Sequence, residues 1–187
     1  MKNIVRIFVC LLLLLISPVE ASEYVSNFTT IPAVEHLPIR VATWKSTPIV
    51  IVCEHAPVTE TQINSALTFW KDLGHYFQRV QYKHDPLDKC KQETPVGYIL
   101  LRLVTQEVAS TLDSDSLAVT HFYVDNTTNN VDWAVIYFKS SDIKETVLEH
   151  EIGHTLGYLH YDKFNHIMNS KWAQGGWDTK GLQIRHR

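Results

Sequence analysis

The pattern of apolar and polar positions divides the chain after residue 47 into strands and helices. Apolar or alternating runs predict strands at residues 48–53, 77–82, 98–104, 117–124 and 131–138. A helix is predicted from Thr59 to Leu73, with Gly74 ending it, because apolar residues recur there at helical spacing: Ile63, Ala66, Leu67 and Trp70. The Asn- and Thr-rich stretch 125–130 is typical of a turn.

A second helix is predicted to begin at Asp142. Glu145 follows three positions later, which is the pattern of a capping box. Its buried face would consist of Val147, Leu148, Ile152 and Leu156. The predicted order is therefore strand, helix, four strands, helix and a short C-terminal segment, all within one domain.

The second helix carries the residues with the clearest chemistry, a run from His150 to His160 that reads H-E-x-x-H-x-x-G-x-x-H. His150 and His154 lie on one face of a helix and can reach the same metal ion. Gly157 permits a sharp turn, because a left-handed helix end is cheap only for glycine, and that turn brings back His160 as a third ligand. Three protein ligands leave a fourth position for water, as in catalytic zinc sites, and Glu151 can face that position.

This run resembles the extended signature of the metzincin zinc endopeptidases, which is followed by a Met-turn. Met168 lies eight positions after His160, a spacing most similar to the matrixin-like branch. That branch usually has Ser directly after the third His and Tyr-Pro after the Met. This chain instead has Tyr161 and Asn169-Ser170 at those positions.

The resemblance implies an α+β fold of the α/β type found in metzincins. We expect a twisted mixed five-stranded sheet packed on two long helices, with the active-site helix followed by the Met-turn. The catalytic domain would span residues 48–187, and Met168 would form an apolar floor beneath the metal. An extended substrate would pair with an edge strand that contains Leu117, Ala118 and Val119.

The implied function is that of an exported zinc-dependent endopeptidase with one catalytic Zn²⁺ and Glu151 as the catalytic acid/base. Calcium or a second zinc is not supported, because the family's spacing is not reproduced around His121, Asp125 and Asp132. The main alternative is a catalytically weak metzincin-like domain that binds zinc and a protein partner. A zinc amidase on the same scaffold is a third hypothesis.

The N-terminus has the pattern of a signal peptide over residues 1–21. A short basic start is followed by an apolar run at 7–16 and by small residues that end at Ala21. The apolar run is shorter than the roughly 20 residues of a membrane span. We expect a secreted or periplasmic protein without stable membrane insertion. Residues 22–47 would be an N-terminal arm or a short pro-segment.

Charge and cysteine content narrow the choice of partners. The net charge is −3 and no Lys/Arg run stands out, which argues against nucleic acid and leaves a peptide or protein substrate. We expect a monomer.

Cys53 and Cys90 are an even pair in an exported protein, so a disulfide is predicted, with two buried free thiols as the alternative.

Several aromatic and histidine residues near the motif have two interpretations each. Trp172 and Trp177 would line the substrate pocket or cover the core. Tyr158 and Tyr161 would orient the third ligand or simply pack. His121 and His166 are expected to have surface or packing roles rather than substrate contacts. Glycosylation acceptors occur at Asn27 and Asn126.

Overall fold

The computed structural model describes residues 37–82, 90, 94–104, 109, 116–140 and 142–184. The predicted signal peptide, the arm before residue 37 and Asn27 lie outside the described residues. Within the described part of the chain, no helix combines the length and the apolar character needed to cross a membrane.

The described strands form a mixed, mostly parallel sheet. They are β1 (Thr43–Trp44), β2 (Ile49–Val52), β3 (Arg79–Tyr82), β4 (Tyr98–Leu103), β5 (Ala118–Asp125) and β6 (Asn130–Phe138). Across the sheet the neighbours are β3, β2, β4, β6 and β5, and the first four of these run parallel. Because β6 already pairs with β4 on one side, the antiparallel β5 occupies its other side and forms an edge.

The prediction of five strands was wrong by one strand. The additional strand, β1, lies in the N-terminal arm and pairs in parallel with the start of β6, Thr43 with Asn130 and Trp44 with Val131. Two residues cannot display an alternating pattern, so sequence periodicity does not reveal such a strand.

The first helix, α1 (Glu60–Asp72), confirms its prediction closely. Thr59 caps it: the Thr59 hydroxyl accepts the Gln62 N–H at 3.2 Å, and the Gln62 side chain accepts the Thr59 N–H at 2.8 Å. These reciprocal bonds satisfy two N–H groups that a helix start leaves without partners. Ile63, Ala66 and Trp70 are buried on the face turned to the sheet.

The second helix, α2 (Val147–Thr155), is shorter than predicted and does not begin at Asp142. Thr146 adopts a left-handed φ of 68°, which a right-handed helix cannot continue through. The carbonyl of Glu145 instead accepts the indole N–H of Trp172 at 2.9 Å. The capping-box prediction was therefore wrong because a tertiary bond holds this segment outside the helix. The predicted buried face of Val147, Leu148, Ile152 and Leu156 is confirmed.

The sheet is buried on both faces, as expected for parallel strands. One face packs on the helices, with Val50, Ile99, Ala134 and Ile136 against Trp70 and Ile152. The other face carries Ile51, Leu100, Val135 and Tyr137. Cys53 lies on that second face and forms the predicted disulfide with Cys90, which is thereby confirmed.

The arm around β1 closes the C-terminal end of α2. Val41 N–H donates to Gly157 O at 2.9 Å, Arg40 Nε to Leu156 O at 2.8 Å, and Trp44 Nε1 to Thr155 O at 2.8 Å. The carbonyls at a helix end have no partners within the helix, so these donors satisfy groups that would otherwise be buried unpaired. Residues 40–44 are therefore built into the fold at the point where the chain leaves the helix.

Gly157 is required at this turn for two separate reasons. Its φ is 90°, a conformation costly for residues with a side chain, and a Cβ atom there would collide with the carbonyl oxygen of Ala42 in the arm. Gly97 has a similar φ of 87°, but a Cβ atom there would meet nothing within 4 Å. Comparing substitutions at Gly157 and Gly97 therefore separates the energetic cost of backbone strain from that of a steric collision.

We predict that Gly157→Ala destabilises the protein more than Gly97→Ala does. Gly97→Ala should lower the free energy of unfolding by about 1–2 kcal/mol from backbone strain alone. Gly157→Ala should cost about 1–3 kcal/mol more, because the arm must move away from the helix end. Urea titration of both variants measures the difference, and equal losses would show that the arm does not constrain the turn.

A buried cluster ties the C-terminal segment to the same region. His75 is 2 % exposed, and its Nε2–H donates to Leu182 O at 2.9 Å. The Tyr158 hydroxyl donates to the same carbonyl at 3.0 Å. Burial lowers the pKa of His75 to about 4, the bond to Leu182 opposes that change, and Arg40 adds to it.

We predict that His75 makes the protein less stable in acid. Its pKa is about 4 when folded against 6.5 when exposed, so the unfolded chain binds more protons between these values. The free energy of unfolding should therefore fall as pH drops from about 6.5 to about 4, with up to about 3 kcal/mol due to this group. Denaturant titrations across this range should give a shallower dependence for His75→Gln, and identical slopes would contradict the assignment.

Candidate metal centre and active site

Three histidine side chains converge at the C-terminal half of α2. The Nε2 atom of His154 lies 3.0 Å from that of His150 and 3.1 Å from that of His160. The two helical residues reach the same point because residues four apart share a helix face. His160 reaches it from the other side, after the turn at Gly157. Among the described residues, this is the group of His, Cys, Asp and Glu side chains arranged to hold a metal ion.

Backbone carbonyl groups orient two of the rings. Nδ1 of His150 lies 2.8 Å from Ile167 O, and Nδ1 of His154 lies 2.7 Å from Tyr158 O. A carbonyl can only accept, so each Nδ1 carries the proton and each Nε2 presents a lone pair to the cluster. Carbonyls that fix the tautomer in this way are typical supports of metal-binding histidines.

The surroundings keep the two helical imidazoles neutral. Burial lowers the pKa of His150 to about 4, and neighbouring His160 acts in the same direction. Burial also lowers the pKa of His154 well below its usual value, with further contributions from both other histidines. Neutral imidazole is the form that binds metals, so the cluster is suited to accept a cation at neutral pH.

Glu151 directly follows His150 in α2 and is only 5 % exposed. Its Oε2 atom accepts the hydroxyl of Thr120, on β5, at 2.6 Å. Burial raises the pKa of the Glu151 carboxyl to about 7, and the Thr120 hydrogen bond acts in the opposite direction. A carboxyl group balanced near neutrality can both take up and release a proton, which is the requirement for acid/base catalysis.

Met168 is fully buried beneath the helix and packs against Gly153. A Cβ atom at Gly153 would collide with the Met168 sulfur and would lie 2.8 Å from the Trp70 ring. The Met168 carbonyl accepts the Tyr161 N–H at 2.8 Å, and the preceding carbonyl, of Ile167, holds His150. The turn at Met168 therefore both supports the helix from below and orients one of the three histidines.

The residues proposed for substrate contact lie on or next to the edge strand β5. Leu117 directly precedes the strand, and Ala118 and Val119 begin it. Ala118 is buried in the core and Val119 is partly exposed on the opposite face. Because their side chains point to opposite faces, what these residues have in common at the sheet edge is their backbone. The side chain of Ala118 is buried and unavailable to a ligand.

Of the remaining candidate residues, Tyr158 orients a histidine through its backbone, and the others pack within the fold. Tyr158 orients His154 through its carbonyl, while its hydroxyl bonds to Leu182. Tyr161 packs edge-on against the fully buried His166, whose Nδ1 accepts the Met168 N–H at 3.1 Å. His121 follows Thr120 in β5, so its side chain points to the opposite face of the sheet, where its ring packs against Tyr137.

The two tryptophans cover the ends of the helices. Trp172 belongs to a 3₁₀ turn and bonds to Glu145, while the Trp177 ring packs edge-on against Phe69 in α1. Both indoles remain about half exposed, at 48 % and 47 %. These contacts favour a covering role over the alternative of a pocket lining.

Sequence reasoning placed Thr120 in the edge strand but did not identify it as a partner of Glu151, and it missed the arm residues and Gly153 as parts of the site. For Thr120 a signal existed, because alternation places it on the inward face of β5 between apolar Ala118 and Phe122. A polar side chain at an otherwise apolar face needs a buried partner. No such signal marks the arm, because its contacts depend on a pairing more than 100 residues away in the chain.

Comparison of the chain with protein-family models, with curated proteins and with solved structures found no match.

Proposed function

We propose that the protein is an exported zinc-dependent endopeptidase of metzincin type, with His150, His154 and His160 as zinc ligands. The observation that carries this proposal is the convergence of the three imidazole nitrogens, with the buried carboxyl group of Glu151 directly after the first of these histidines in α2. The order of strands, with an antiparallel edge strand before the last strand and the metal-binding helix after it, agrees with the resemblance in sequence.

The geometry of the cluster fits zinc. Tetrahedral zinc with Zn–N bonds of about 2.0–2.1 Å needs ligand nitrogens about 3.3 Å apart, and the observed separations are 3.0 and 3.1 Å. Three lone pairs that point at one another repel, and a cation between them turns this repulsion into attraction. Three imidazoles leave the fourth position of a tetrahedral ion to water, which is the donor set of a catalytic rather than a structural zinc site.

The proposed reaction is hydrolysis of a peptide bond by water. When bound, zinc would supply Lewis acidity, lowering the pKa of water to about 7 and polarising the scissile carbonyl. Glu151 takes the proton from the attacking water and gives it to the departing amine. The backbone of β5 would hold the substrate extended by adding it as a further strand at the sheet edge.

We predict that Glu151→Gln abolishes cleavage while leaving zinc bound. The amide keeps the size of the side chain but cannot accept a proton, so kcat/KM should fall about 100- to 10,000-fold. The measurement is cleavage of a diverse peptide mixture by the purified protein, with and without a zinc chelator, together with zinc content by elemental analysis.

Glu149→Gln is the matched control for this experiment. Glu149 is also a buried glutamate of α2, but residues two positions apart on a helix point in different directions, so Glu149 does not share the face of Glu151. It should keep kcat/KM within about twofold of the parent. Near-normal cleavage by Glu151→Gln would refute the proposed mechanism. Zinc bound to the parent and to Glu151→Gln, without cleavage by either, would instead favour the alternative of a catalytically weak domain that binds zinc and a protein partner.

We predict that zinc stabilises the folded protein through the three histidines. At free zinc about 100 times the dissociation constant, the free energy of unfolding should rise by about 2.7 kcal/mol. His154→Ala should lose most of this increment because it removes the central ligand. His55→Asn is the control: the His55 side chain is 79 % exposed and its φ is 67°, which asparagine tolerates. An equal zinc increment in all three proteins would place the metal elsewhere.

A further inference from the structure

The Thr120 hydroxyl donates a hydrogen bond to the Glu151 carboxylate. Its oxygen lies 2.6 Å from Glu151 Oε2 and 3.1 Å from the Glu151 backbone oxygen. A hydroxyl has one proton to donate, and the shorter contact to the charged group identifies the carboxylate as its acceptor. Both residues are buried, Thr120 at 2 % and Glu151 at 5 % exposure.

Packing alone does not explain a threonine at this position. Ala118, Thr120 and Phe122 point from β5 into the core, and the first and third are apolar members of it. Valine has the same shape as threonine and suits a strand equally well. A buried hydroxyl is costly without a partner, so what distinguishes threonine here is the hydrogen bond to Glu151.

We propose that Thr120 is a positioning residue for Glu151, a role that rests on the endopeptidase function proposed above. Its hydroxyl holds Oε2 in place, so the carboxylate is fixed in one rotamer and Oε1 is the oxygen presented for proton transfer. A free glutamate side chain samples several rotamers, and ordering it costs free energy that the bond offsets before substrate arrives.

The position of Thr120 on the edge strand connects this role to substrate binding. A peptide that pairs with β5 would contact the backbone of the same strand whose side chain holds the acid/base group. One rigid element then sets both the position of the scissile bond and the orientation of Glu151. Loss of the hydroxyl should therefore impair the chemical step more than it impairs substrate binding.

The first test compares Thr120→Val with Thr120→Ser. The valine variant keeps the shape but lacks the hydroxyl, and its kcat should fall about 10- to 100-fold with KM changed less than about twofold. The serine variant keeps the hydroxyl and should retain kcat within about threefold of the parent. Thr155→Val is the control, because it removes a buried hydroxyl of α2 whose hydrogen bond goes to the backbone carbonyl of Ile152.

The second test does not depend on activity. Unfolding equilibrium constants are measured for the parent, Thr120→Val, Glu151→Leu and the double variant. The two substitutions should be coupled by at least about fivefold if the bond exists in solution. Should valine fold poorly at this position, Thr120→Ala replaces it in both tests, because a smaller side chain introduces no new contact.

The outcomes separate this proposal from the endopeptidase proposal. Coupled substitutions together with a kcat loss in valine that serine rescues would establish Thr120 as a positioning residue. Uncoupled substitutions would overturn the role whatever the activity. Coupled substitutions with unchanged kcat in the valine variant would show that the bond only stabilises the fold, and would overturn the positioning role. A parent protein that binds zinc but cleaves no peptide would overturn both proposals, even if the substitutions were coupled.

Discussion

The closure of the C-terminal end of α2 is the constraint on which the site depends. The last carbonyls of a helix have no partners within it, and here they lie in the interior. The arm supplies fixed donors to Thr155, Leu156 and Gly157. Because these donors belong to the sheet and its arm, the path of the chain beyond Gly157 is set by the whole fold. His160 therefore arrives opposite the helical histidines without depending on the local stiffness of a loop.

A second consequence follows from the burial of α2. A helix that places Glu151, His154 and Thr155 in the interior would be unstable if these groups lacked partners. Each finds one: Thr120 from β5, the carbonyl of Tyr158 after the turn, and the carbonyl of Ile152 one turn back. The same bonds that make burial tolerable also fix the orientation of the reactive groups. Stability and preorganisation thus come from one set of contacts.

Much of this arrangement could be predicted from local sequence patterns. Residues four apart on a helix, a glycine at a left-handed turn and a Thr59 cap all act within a few positions, so the histidine cluster and α1 follow from spacing. The order of strands and helices along the chain and the Cys53–Cys90 disulfide were likewise accessible. The start of α2 was not, because the bond from Trp172 to Glu145 joins segments 27 positions apart. β1 and the packing of Gly153 were hidden for the same reason, since each depends on a partner distant in sequence, whereas the alternation of β5 marked Thr120 as an inward polar residue without naming its partner.

The two departures from the matrixin pattern bear on whether the site is intact. Asn169, in place of tyrosine, is 3 % exposed: its amide donates to Lys163 O at 2.9 Å and its oxygen accepts the Lys171 N–H at 2.9 Å. Tyr161, in place of serine, is buried and bonds through its N–H to the Met168 carbonyl.

Asn169 thus fastens the turn that carries Met168 through its side chain, whereas the bond of Tyr161 to this turn is made by its backbone. The carbonyl of Ile167, within this turn, still holds the His150 ring. The two departures are therefore accommodated in the fold without displacing the carbonyl that orients His150. Two of the three imidazoles are held by backbone carbonyls and Glu151 is held by Thr120, so the preorganisation that the proposed mechanism requires does not depend on the side chains of Tyr161 and Asn169.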